Sequence, residues 1–131
     1  MKDYKIKIVD DYDNISEFED IMNNSIFSLC PRGTSPTSFR LYEALEAGSI
    51  PIYISDEYWV PFKDDLDWEK FCIFLHPNDI KSIPSMVDKL IEESKYLDMV
   101  TKGKEAYKNY FTMQKTSEKI IQYLENINEK N

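Results

Sequence analysis

Residues 26–56, IFSLCPRGTSPTSFRLYEALEAGSIPIYISD, read as strand, polar loop, helix and strand in succession. The run 26–30 is continuously apolar and of strand length, which fits a strand buried on both faces of a parallel sheet. Pro31 to Thr34 is a loop. Ser35 and then Pro36 make a helix start, an N-cap followed by proline at the first helical position. The helix should run to Ala47, where Gly48 supplies a stop. Leu41, Ala44, Leu45 and Gly48 fall on one packing face, with Arg40 and Glu43 on an adjacent one. Residues 49–55 are a second buried strand.

Outward from this unit the same alternation continues. Residues 4–9 alternate and then become apolar, which predicts a strand, and Ile15, Phe18, Ile21 and Met22 recur at helical spacing over 15–24. Residues 56–68 read as an aromatic-rich loop and 71–75 as a further strand. Pro77, Asn78 and Asp79 cap a helical stretch over 80–94 in which Pro84 predicts a break. Two more helices are expected over 95–110 and 113–128, with a polar tail from Asn126 that should fray. No repeat or linker divides the chain, so residues 1–131 are one α/β domain. Its expected core is a Rossmann-like parallel sheet with helices on both faces.

Composition narrows the function classes. An apolar fraction of 42% with 14% aromatics is too high for a disordered chain. A net charge of -8, spread along the sequence, argues against sequence-independent nucleic-acid binding and against anionic membrane surfaces. No apolar run approaches the roughly 18 residues of a membrane span. The start, MKDYKIKIVDDYD, is not a signal peptide, so a cytosol-like, cytoplasmic location is expected. Cys30 and Cys72 lie in apolar runs without metal-ligand spacing and read as buried reduced thiols.

The 16 basic residues include only two arginines, Arg32 and Arg40, and both lie in the opening stretch. A guanidinium is planar and forked, which suits bidentate contact with phosphate or carboxylate. The alternative is an arginine paired with a nearby acid to hold the loop. In open parallel sheets ligands sit beyond the carboxyl ends of the strands, often at a helix N-terminus. The loop at residues 31–38 is at that place. Gly33, Thr34, Ser35, Thr37 and Ser38 offer N–H groups and hydroxyls there, and with both arginines they would suit a diphosphate. Glu43, one turn beyond Arg40, could accept from a pair of sugar hydroxyls or form a surface ion pair with Arg40. Neither GxGxxG nor GxxxxGK[ST] is present. Asp56, just past a strand, could face the ligand or cap a turn. His76 reads as structural, and Tyr58, Trp59 and Phe62 as cover for the core rather than a stacking platform. Asp64, Asp65 and Asp67 lack calcium-loop spacing and read as a cap before Trp68.

PRGTSPTSFRLYEALEAGSIPIYISD, followed by YWVPF and DLDWEKFCIFL, resembles the exostosin-like glycosyltransferases, family GT47, over about residues 23–100. The resemblance implies the C-terminal, donor-binding lobe of an inverting GT-B enzyme that uses a nucleoside diphosphate sugar, in the first instance a UDP-sugar. It implies that Arg40 contacts the diphosphate and Glu43 the ribose, with Arg32, Gly33, Ser35 and Ser38 lining the phosphate loop. Glu43 is similar to the second glutamate of the E-x7-E pattern of other GT-B enzymes, whose first glutamate falls here at Ser35. No metal or other cofactor is implied. The acceptor lobe of such an enzyme is not in these residues, so transfer would need one from a partner protein or a homodimer. Without one, the chain would be a non-catalytic nucleotide-sugar-binding or protein-interaction module.

Overall fold

The computed structural model describes residues 20–32 and 39–129. The strand expected over 4–9, most of the helix expected over 15–24, and the loop residues 33–38 lie outside them. Three strands, β1 (Phe27–Pro31), β2 (Ile50–Ile54) and β3 (Ile73–Leu75), form a parallel sheet in the order β1-β2-β3. The helices are α1 (Phe39–Ala47), α2 (Ile83–Glu92), α3 (Lys95–Ala106) and α4 (Met113–Glu129). Short 3-10 turns precede β3 and α2, and a π-helical turn, Tyr107–Phe111, joins α3 to α4.

The period of two along each strand sorts the core into two layers. Cys30, Tyr53 and Phe74 point to one face and pack with Leu41, Ala44 and Leu45 of α1 and Ala106 of α3. Ile52, Ile54 and Leu75 point to the other and pack with Val87 and Ile83 of α2. Every residue of β2 is buried, as its unbroken apolar run requires of a central strand. β1 departs from the expectation. Leu29 is 49% exposed, although Phe27 on the same face packs against the cluster of Ile52, Ile54, Leu75 and Val87. Burial of a leucine such as Leu41 or Leu45 is worth about 1.5–3 kcal/mol, so α1 is held to the sheet mainly by that pair.

Gly48 ends α1 as its position predicts. Its φ is +77°, its N–H donates to the Leu45 carbonyl, and the Ser49 N–H donates to that of Ala44. These two bonds satisfy helix-end carbonyls and turn the chain directly into β2. Because α1 thus ends where β2 begins, its start lies at the carboxyl end of the sheet. Gly103 of α3 serves close approach instead. A Cβ there would come within 3.3 Å of Leu45 Cδ2.

Pro84 does not break a helix. It lies in the first turn of α2, where its missing N–H costs nothing, and residues 77–82 before it form the 3-10 turn. α4 continues through the polar tail to Glu129. Asp67 takes the cap position before Trp68 but makes no side-chain cap hydrogen bond, and only a single 3-10 turn follows. Trp68 is fixed instead by donation from its Nε1 to the Pro61 carbonyl at 2.9 Å. No helix among the described residues is long and apolar enough to cross a membrane.

Candidate functional site

At the carboxyl edge the three strands end level with one another. Pro31 pairs with Ile54 and Ile54 with Leu75. One more rung follows on each side: the Arg32 N–H donates to the Ile54 carbonyl at 2.9 Å, and the Ser55 N–H to that of Leu75 at 3.0 Å. Arg32, Ser55 and His76 therefore stand side by side as the first residues past the sheet.

Arg32 and Asp56 meet here. An Arg32 guanidinium nitrogen donates to the Asp56 carboxylate at 2.5 Å, tying the loop after β1 to the loop after β2. The hydrogen bond from Arg32 holds the Asp56 carboxyl below its ordinary range, and the same bond raises Arg32. Both side chains face solvent, so the pair is worth little to stability as such. Of the two roles open to Asp56, capping a turn is in part present: its carboxylate accepts from backbone N–H groups of residues 56 and 57 as well as from Arg32. The signal was in the alignment of the strand ends, which places positions 32 and 55 on neighbouring rungs.

The turn beneath Asp56 is rigid. The buried Ser55 hydroxyl donates to the Glu57 carbonyl and accepts from the Glu57 N–H at 3.1 Å, while the Tyr53 hydroxyl donates to the same carbonyl at 3.3 Å.

Arg40 lies in the first described turn of α1, half-buried, and Glu43 three residues on, exposed. Both act on the buried Cys30 thiol of β1. Desolvation pushes that thiol up to about 12, the Arg40 charge lowers it, and the Glu43 charge raises it. The two side chains thus stand near the end of β1, close to the edge that carries Arg32. Gly33, Ser35 and Ser38 lie outside the described residues.

The remaining candidates sort clearly. His76 is a cap: its Nδ1 accepts from the Asn78 N–H at 3.1 Å, starting the turn before α2. Tyr58 packs edge-on against Phe74. Phe62, with φ +56°, packs on Tyr110 and Phe111. Trp59 is 54% exposed on the loop after β2. Cys30 and Cys72 are free and buried. Among the described residues no group of three or more His, Cys, Asp or Glu is placed to hold a metal ion.

This edge belongs to the part of the chain that other proteins share. The model of the exostosin GT47 domain matches residues 2–90. The chain belongs to that family. An exostosin-1 homolog of Caenorhabditis elegans is 38% identical over 78 residues, 60% of this chain and 20% of its own. A probable glycosyltransferase of Arabidopsis thaliana is 33% identical over 92 residues, 70% of this chain and 20% of its own. A probable glucuronosyltransferase of Oryza sativa is 36% identical over 76 residues, 58% of this chain and 18% of its own. The chain therefore spans about a fifth of the length of these curated relatives. The GT47 match takes in the whole described sheet and all of α1.

Proposed function

We infer that this GT47 domain is the donor-binding lobe of a glycosyltransferase and binds a nucleoside diphosphate sugar, in the first instance a UDP-sugar, for inverting transfer. The observation that carries this reading is the position of the only arginines of the chain, Arg32 directly after β1 and Arg40 in the first described turn of α1, both toward the carboxyl end of a parallel sheet. A diphosphate is the ligand for which two forked cations at that place are suited. Arg40 would contact the diphosphate and Glu43 the ribose hydroxyls, with Gly33, Ser35 and Ser38 offering donors to the phosphates. Asp56 would border the same pocket. The matched glycosyltransferase and glucuronosyltransferase relatives support the reaction class.

Transfer also needs an acceptor lobe. The surface of α4 is suited to docking one. Met113, Ile120, Leu124 and Ile127 form one stripe along that helix and are each 42% or more exposed. A contiguous exposed apolar stripe is the mark of an interaction surface.

The test is a thermal-shift titration with UDP, GDP, UDP-glucose, UDP-N-acetylglucosamine and GDP-fucose, repeated on Arg40→Ala and Glu43→Ala. A ligand at 100 times its Kd adds about 2.7 kcal/mol, a rise on the order of 10 °C for a domain of this size. A shift that either substitution abolishes supports the reading. A folded protein that no nucleotide shifts, or a shift indifferent to both substitutions, would refute it.

A further inference from the structure

The charge balance at the edge bears on how an anion enters. Asp56 and Glu57 both act on Arg32, while Arg40 and Glu43 act in opposite senses on Cys30. Each arginine is thus accompanied by acid before any ligand arrives. At Arg32 the accompaniment is a direct contact with a carboxylate, the group most like a phosphate in charge and acceptor geometry.

We propose that Asp56 is a built-in competitor for the ligand's anion, occupying the Arg32 guanidinium until a diphosphate displaces it. This rests on the nucleotide-sugar reading and specifies how its site opens. The backbone under Asp56 cannot carry the carboxylate away, since both Ser55 and Tyr53 hydroxyls pin the Glu57 peptide. The side chain can. It is 59% exposed, against 28% for Arg32, and besides Arg32 only the backbone N–H groups of residues 56 and 57 hold it. Displacement is therefore a side-chain rotation into solvent, after which Arg32 turns its donors to the ligand. The site accordingly favours ligands with enough negative charge to win the exchange.

The experiment is calorimetric titration of UDP and of inorganic pyrophosphate into wild type, Asp56→Asn, Arg32→Ala and the double variant, with circular dichroism confirming that each is folded. Asparagine keeps the shape of Asp56 and removes its charge. Competition predicts that Asp56→Asn tightens both ligands by about 1.5- to 5-fold, the range spanned by exposed ion pairs, and that the gain vanishes in the Arg32→Ala background. Ligand binding by Asp56→Asn alone would be the same effect in stronger form. If wild type binds and Asp56→Asn is unchanged or weaker, the competitor role is overturned while the nucleotide reading stands. A gain that persists without Arg32 also overturns it, because general repulsion would then suffice. No binding to any of the four proteins sinks both.

Discussion

The contact between Leu45 and Gly103 decides where α1, and with it Arg40 and Glu43, sits on the sheet. Leu45 is 1% exposed, and a Cβ on Gly103 would stand 3.3 Å from its Cδ2 and 3.6 Å from Phe71 Cβ. Leu45→Ala should cost about 3 kcal/mol, within the range of buried leucine truncations. Gly103→Ala alone gains about 1 kcal/mol of helix propensity but drives a methyl into Leu45, an overpacking cost of about 1–3 kcal/mol. Its net effect is therefore neutral to about 2 kcal/mol destabilising. In the Leu45→Ala background the methyl enters vacated space and only the propensity gain remains. The double variant should be more stable than Leu45→Ala by about 1 kcal/mol, a favourable coupling of about 1–3 kcal/mol. Urea unfolding followed by circular dichroism reads this directly, since at a slope of about 2 kcal/mol/M each kcal/mol moves the midpoint by about 0.5 M. Additivity within about 0.5 kcal/mol would refute the claim that these two positions share one space.

Three further outcomes follow from single residues. Gly48→Ala should destabilise by about 1–2 kcal/mol, because φ +77° is costly for any residue with a Cβ; the nearby Lys104 Cε, 2.7 Å from that Cβ, can move aside. Equal thermal stability of variant and wild type would contradict the cap assignment. Asp56, whose carboxyl is depressed by Arg32, contributes stability above the unfolded aspartate value of about 3.9, and that contribution disappears as pH falls through its lower folded value. The stability difference between wild type and Asp56→Asn should hence shrink on acidification from pH 7 to pH 3, and a difference that grows would be the wrong sign. Desolvation raises the Cys30 thiol to about 12 and Cys72 well above its ordinary value, so neither should react with a thiol reagent at pH 8 until urea unfolds the chain. Rapid labelling of the native protein would show that these thiols are not in the core.

Much of this architecture was legible because local signals agreed. The apolar run at 50–54, the spacing of Leu41, Ala44 and Leu45, and Gly48 after Ala47 all point to the same strand and helix, and the structure has both. The misreadings arose where a local signal had two physical outcomes. Proline at 84 is compatible with a break or with a first turn, and what selects the first turn is the 3-10 segment at 77–82, set by the His76 cap. The apolar run at 26–30 says that a strand forms there, but not whether anything covers Leu29. Periodicity along one segment carries no information about its neighbours in space.

The same limit explains the site. Arg32 and Asp56 are 24 positions apart, and neither residue nor its flanks indicates the other. Their meeting follows only once β1 and β2 are aligned with Pro31 opposite Ile54, a register set by α1 and the Gly48 turn between them. The crossover that joins these two parallel strands thus also brings a carboxylate to one of the chain's two arginines. Charge removed at Asp56 should then act at Arg32 and nowhere else on the edge. If Asp56→Asn altered ligand affinity equally with and without the Arg32 side chain, the register would be structural detail and the edge would respond only to its net charge.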